Sequence, residues 1–184
     1  MKNVIMKKNS MIMLALFAFA AFLLPRSIKA QEDKERIFND SKSAKTAFIK
    51  TDGSMDNLFK TSYGYVIFPN IGKGAAIIGG AGGNGGVYEK GKRIGTAKMV
   101  QISAGAQVGG QAYREVIFFE DKAALDRFKE NKIEFSGQVS AVAAKAGASA
   151  TAKYREGVAV FTQELGGLML EASLGGQKFT FKPV

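Results

Sequence analysis

The sequence contains no cysteine and no histidine. The first absence excludes disulfides, thiolate nucleophiles and thiolate metal sites. Small exported domains often need disulfides, but a chain of this length buries enough surface to fold without them. The second absence removes the usual general base, the usual zinc ligand and every Ser-His or Cys-His pair. From residue 31 onward no serine is followed three residues later by lysine, so the S-x-x-K arrangement is missing too. Only carboxylates remain for acid–base work: Glu89, Glu115, Glu120, Glu134, Glu164 and Glu171. None is paired in a setting that suggests a hydrolase, and the sequence predicts no enzyme, cofactor or metal. A long apolar run is also wanting. The one candidate, Met11–Leu24, is short of the ~20 residues a spanning helix needs.

That run has a different reading. It follows Lys2, Lys7 and Lys8 and precedes Pro25 and "RSIKA", the order of a secretory signal peptide. Cleavage after Ala30 is expected, the alternative being an uncleaved N-terminal anchor; it leaves residues 31–184 as one domain, exported to a periplasmic or secreted location and peripheral on a membrane. No cysteine follows the run, so acylation there is excluded. The leader holds five cations (Lys2, Lys7, Lys8, Arg26 and Lys29) and no acid. Without it, the formal charge of +10 falls to +5, with 21 basic against 16 acidic residues. A mild positive charge suits weak attraction to anionic surfaces. Half of the apparent basicity is targeting, and export argues against a nucleic-acid partner.

From Gln31 the chain reads as a helix to Lys50, with Ile37, Ala44 and Phe48 on one face and "TDG" as its end. A short helix over "SMDNLFKTS" comes next, with Ser54 as N-cap. "YGYVIFP" is a strand stopped by Pro69. "AAIIGG" and "GGVYEKG" read as two short strands. "MVQISAGAQVGG" alternates, with Val100, Ile102, Ala104, Ala106 and Val108 opposite Gln101, Ser103, Gly105 and Gln107. "EVIFFE" reads as a buried strand. "DKAALDRFKEN" is a helix led by Asp121, with Ala124, Leu125 and Phe128 inward. "FSGQVSAVAAKAGASATAKY" reads as a further strand. "GVAVFTQE", "GLMLEASLG" and "KFTFKP" close the chain as strands separated by Gly166-Gly167 and Gly175-Gly176 at hairpin spacing. This order predicts an α+β fold: N-terminal helices on a curved, mostly antiparallel, glycine-rich sheet, a sandwich or partial barrel, with one further helix near 121–130.

Gly80, Gly82 and Gly85 match G-x-G-x-x-G, the spacing that cradles a dinucleotide. The motif needs a helix after the glycines to supply amides and a positive dipole end. Here "VYEKGKRIG" comes next, short and strand-like, and no acid lies about 20 residues on. No nucleotide is expected. The glycines instead suit bends and close backbone approach, with Asn84-Gly85 as a tight turn.

Three stretches carry a resemblance: "YGYVIFPNIGKGAAIIGGAGGNGGVYEKGKRIG", "VGGQAYREVIFFEDKAALDRF" and "GVAVFTQELGGLMLEASLGGQKF". In this order, and over Lys34 to Pro183, the chain resembles the SYLF-domain family, a lipid-binding domain that also occurs in a yeast actin-patch protein. The resemblance implies a non-enzymatic domain. Eukaryotic members bind anionic phosphoinositide membranes through a basic surface and an amphipathic N-terminal segment, and some bind actin filaments. This sequence is similar to the exported bacterial members. It lacks the SH3 or FYVE neighbours of the eukaryotic ones, and actin binding is not carried over. Anionic membrane lipids are the expected partner.

The candidate contacts are Lys34, Lys42 and Lys45 on the first helix, Lys73 after "FPNIG", and Lys90, Lys92 and Arg93 at a predicted hairpin tip. Arg36 accompanies the helix group. Phe38, Phe48 and Ile49 are candidates for apolar insertion, which stable residence requires. The hairpin cluster is preferred, because no acid after Glu89 neutralises it locally. The competing reading is an envelope interaction module whose glycine-rich sheet edge pairs with another chain.

Overall fold

A central strand buried on both faces reads as a continuous apolar run, and "VIFF" (Val116–Phe119) meets that demand, with the acid Glu115 just before it. In the computed structural model it forms the second half of β4 (Tyr113–Phe119), flanked by β1 (Gly64–Ile71) and β6 (Val158–Glu164). The structure describes residues 29–72, 80–102, 112–133, 141–165 and 176–184. The leader up to residue 28, most of "AAIIGG", the end of "MVQISAGAQVGG", the strand "GLMLEASLG" and Lys73 lie outside them. Two compact units divide the chain, Met1–Arg36 and Ile37–Val184. Residues 29–51 are helical (α1), and every described strand belongs to the second unit.

Among the described residues seven strands form one open sheet in the order β5-β6-β4-β1-β2-β3-β7. The other members are β2 (Gly80–Glu89), β3 (Lys92–Ile102), β5 (Val142–Ala143) and β7 (Gln177–Pro183). Every pairing is antiparallel except β5 with β6, and the α+β class expected from the sequence holds. The sheet is strongly curled. Phe68 on β1 and Phe179 on β7 are three strand spacings apart, about 14 Å in a flat sheet. Their ring centroids are 5.9 Å apart. Helix α3 (Lys122–Lys129) fills the concave side, where Phe128 meets Phe119 at 5.1 Å and Phe179 at 5.2 Å. Asp121 caps it, accepting from the Ala124 N–H at 2.8 Å.

The other face is covered by α1 and α2 (Met55–Thr61). Phe38, Ala44, Phe48, Met55 and Phe59 pack there against Tyr65, Ile67, Tyr88, Val116, Phe118 and Phe161. The buried stripe of α1 runs through Phe38 and Ser41, whereas Ile37, predicted to face inward, is only half-buried. Ser41 Oγ donates to the Ile67 carbonyl and accepts from the Gly86 N–H, pinning the helix over the β1–β2 seam. At the end of α1, Asp52 is 1% exposed and accepts from the N–H groups of Ser54 (3.0 Å) and Ser149 (2.8 Å). Ser54, predicted to cap α2, makes no side-chain cap bond; it already has helical backbone angles, and Asp52 holds its N–H instead.

Several expectations are overturned. Asn84-Gly85 is not a turn: "GAGGNGG" is the body of β2, paired with β3 through Asn84↔Lys98 and Gly85↔Ala97. Its glycines admit neighbouring backbone. A Cβ on Gly85 would collide with the Ile67 oxygen and come to 2.8 Å from Phe68 Cδ1, and one on Gly83 would collide with the Asn70 oxygen. The turn lies at Lys90-Gly91, whose φ angles of 48° and 77° are both left-handed, as a two-residue hairpin with this twist requires. Pro69 does not end β1. It falls where the pairing with β4 shifts register between Phe68 and Ile71, a place that needs no N–H. The alternation left open which side of β3 faces inward; it is the side of Ala97, Met99 and Gln101. Of the strand predicted across 135–154, residues 135–140 lie outside the described ones; from 141 on only Val142–Ala143 is strand, after which Gly147 (φ 78°) opens a 3₁₀ turn at Ala148–Thr151. The hairpins expected at Gly166-Gly167 and Gly175-Gly176 involve residues outside the described ones; among the described residues β6 lies on β4 and β7 on β3.

Candidate functional site

The hairpin joining β2 and β3 presents the preferred basic cluster. Lys90 forms the turn and places Nζ 5.1 Å from the Tyr63 ring. Lys92 is exposed opposite Glu89. Arg93 faces Tyr88 across the ladder and sets its guanidinium 4.6 Å from the Phe38 ring. Such cation–π contacts hold a charged side chain in place. Glu89 is engaged elsewhere: its carboxylate accepts from Tyr63 Oη at 2.7 Å and lies 3.9 Å from Lys129 Nζ.

The remaining candidates separate. Lys42 is exposed on α1, one helical turn beyond the Phe38 that carries Arg93. Lys45 is turned inward. Its ammonium lies 4.6 Å from the Phe59 ring and 5.3 Å from the Tyr65 ring, and burial lowers its pKa. Lys34, half-exposed and helical, belongs to the unit Met1–Arg36. Phe38 and Phe48 are core residues, and Ile49 packs beside them, so the apolar face of α1 is already covered by the sheet. These three are therefore not free for insertion, a correction to the sequence reading.

A second group of cations was not foreseen. β3 and β7 together carry Lys92, Arg93, Lys98, Lys178 and Lys182, and no acid. Lys98 is opposite Thr180, while Lys178 and Lys182 are opposite Val100 and Thr96. All three lysines are exposed on the face away from the buried Met99 and Phe179. Diagonal neighbours of this kind are about 7–8 Å apart, within the ~8 Å Debye length of physiological salt. Arg93 shares this face, because Tyr88 opposite it packs in the α1-side core. The alternation K-F-T-F-K was visible in the sequence, but the register that sets β7 against β3 was not.

Residues 100–183 match the family model described as Ysc84, Las17-binding protein actin regulator. Over 144 residues, 78% of the chain, the sequence is 33% identical to Beta cell expansion factor A of Aeromonas veronii. The match spans 51% of that relative, so the chain covers about half the length of the curated protein it resembles. The chain belongs to the SYLF-domain family. Membership suggests a lipid-binding or protein-interaction role. In this SYLF domain the matched segment includes the end of β3 and all of β7, and hence Lys178 and Lys182.

Proposed function

We propose that this SYLF domain is a non-enzymatic lipid-binding protein of the cell envelope that adsorbs to anionic phospholipid surfaces through the β2–β3 hairpin and the outer face of β3 and β7. The observation that carries the reading is five lysines on the hairpin turn and on strands β3 and β7, Lys90, Lys92, Lys98, Lys178 and Lys182, with no acid in either strand. Each basic residue near an anionic surface contributes ~1 kcal/mol. Four or five engaged together give about 4–5 kcal/mol, a dissociation constant near the millimolar range. Attachment of that strength is peripheral, reversible and sensitive to salt. The large exposed apolar side chains among the described residues, Val142, Leu165 and Val184, are not consecutive and supply no anchor of the kind α1 was expected to give. Export is supported by the basic, apolar and small-residue order of the first thirty residues.

Co-sedimentation with vesicles tests the reading. Anionic and zwitterionic vesicles are compared at low and near-physiological salt. Binding to anionic vesicles that weakens with salt supports it. Equal, salt-insensitive binding to both kinds points to apolar insertion. Absence of binding to either overturns it and favours the other reading, a protein partner paired along the β7 edge.

A further inference from the structure

Among the described residues, Glu115 is the one carboxylate placed wholly inside the curled sheet, with no exposed surface. It lies on β4, and its Oε2 accepts from Nε2 of Gln177 on β7 at 3.1 Å. Four strand spacings separate β4 from β7, about 19 Å in a flat sheet, so this bond closes the curl from one side to the other. Two buried oxygens here have no donor: Glu115 Oε1 and Gln177 Oε1. They belong to the same two planar groups that already share the Nε2–Oε2 bond. Buried acceptors rarely go unpaired. One hydrogen placed on Glu115 Oε1 and directed at Gln177 Oε1 satisfies both at once. It completes the cyclic pair that a carboxylic acid and a primary amide form, with each group donating once and accepting once.

We propose that Glu115 is a neutral carboxylic acid in the folded protein, and that its O–H and the Gln177 amide form a two-bond clasp that fastens the edge strand β7 across the concave face to β4, a clasp released when the proton is lost to solvent. Among the described residues no cation faces this carboxyl, and the one donor to it is the Gln177 N–H. From β4, the Tyr113 hydroxyl donates to Gln101 Oε1 on β3 at 2.9 Å and lies beside the Gln177 amide; burial and the nearby Glu115 raise its pKa, so it stays neutral. β6 contributes Thr162, opposite Glu115 in register, and β1 contributes Phe68. α3 turns Ala124, Leu125 and Phe128 to this core. Its cations are bound elsewhere, Lys122 and Lys129 to Asp126 and Arg127 to the Glu156 carbonyl. Burial accordingly pushes the Glu115 pKa up to about 7, partly opposed by the Gln177 bond. Among the described residues, β7 when released keeps its ladder to β3 and its packing on the core, and it stands at the sheet edge.

The full chain, with ¹³C-labelled glutamate, is titrated by NMR from pH 4 to 9, and amide exchange is followed in parallel and corrected for the intrinsic rate. The clasp requires one carboxyl signal, missing in Glu115→Gln, that titrates well above the ordinary glutamate range. It further requires that protection of β7 amides fall at least tenfold across that titration while β4–β6 protection stays level. In Glu115→Gln an amide replaces the acid, the ring persists without a titratable proton, and β7 protection becomes independent of pH. Wild-type data decide the matter even if that variant does not fold. An ordinary titration of all glutamates overturns the proposal, as does a β7 that keeps its protection or a loss shared equally by every strand.

Discussion

Replacing Gly85 by alanine separates two explanations of the glycine-rich stretch. If these glycines formed a loop around a phosphate, a methyl group in open space would leave stability nearly unchanged. In the fold, the new Cβ meets the Ile67 oxygen, Phe68 Cδ1 at 2.8 Å and the Ile67 carbonyl carbon at 2.9 Å. Carbon pairs rest at ~3.5–4.0 Å, so β1 and β2 must part by roughly 0.7 Å or more. Neither is free to do so. Ile67 and Phe68 are core residues on opposite faces, and Ile67 is in register with Gly86 next door. Overpacking of this kind costs ~1–3 kcal/mol, and a strained ladder bond adds about 1 kcal/mol. Alanine's lower chain entropy returns about 0.5–1 kcal/mol. The net expectation is a loss of about 2–3 kcal/mol, read as a urea midpoint lower by roughly 1–2 M at an unchanged slope. Gly53→Ala is the control. A Cβ there has nothing within 4 Å, and the expectation is no loss or a gain of up to ~1 kcal/mol. Equal midpoints for Gly85→Ala and wild type would refute the close-approach argument.

Replacing Lys98, Lys178 and Lys182 together by glutamine removes ~3 kcal/mol of surface attraction; anionic-vesicle binding at low salt should weaken about 100-fold while the urea midpoint stays put. Asp52→Ala strips the Ser54 and Ser149 N–H groups of their acceptor, and should cost ~2–3 kcal/mol in denaturant unfolding. Burial raises the Asp52 pKa, but the backbone bonds from Ser149, Ser54 and Gly147 outweigh it and leave it lowered. A depressed carboxyl supplies stability that is present above its unfolded pKa and lost as pH falls through the folded one, so wild type, but not Asp52→Ala, should lose this increment in acid. Glu115 has the opposite sign. Raised from 4.5 to about 7, it favours the fold fully below pH 4.5. Stability should decline as pH rises to 7, by about 3 kcal/mol in all, a slope that Glu115→Gln should abolish.

What the sequence made legible was local. The helix after residue 31, the capped helix at 122–129 and the strands at "EVIFF", "VAVFTQE" and "KFTF" come from periodicity and from Asp121. Two errors share a cause. Asn-Gly is a strong turn signal, yet Asn84-Gly85 is strand, because its glycines answer to Ile67 and Asn70, residues distant in the chain. Pro69 is a strand terminator by rule, yet β1 passes it, because the mismatch with β4 leaves an N–H position vacant there. In both places a non-local neighbour overrides a local preference.

The site divides along the same line. Lys90, Lys92 and Arg93 are adjacent in sequence and could be found as a cluster. Lys98, Lys178 and Lys182 become a cluster only when β7 docks on β3, and Glu115 meets Gln177 only when the sheet curls by four strands. Both consequences run through β7. Its alternation sends Lys178, Thr180 and Lys182 to the outer face and Gln177 and Phe179 to the concave one. Among the described residues β7 stands at the sheet edge with one ladder, and it gains a second attachment from Phe179 in the core and a third from Gln177 at its first residue. The outer lysines depend on those inner contacts for their spacing. Like charges 7–8 Å apart repel, and nothing on β3 or β7 of opposite sign compensates them. The basic face is therefore held together from behind, by the core and by Glu115, rather than by any interaction among the residues that compose it.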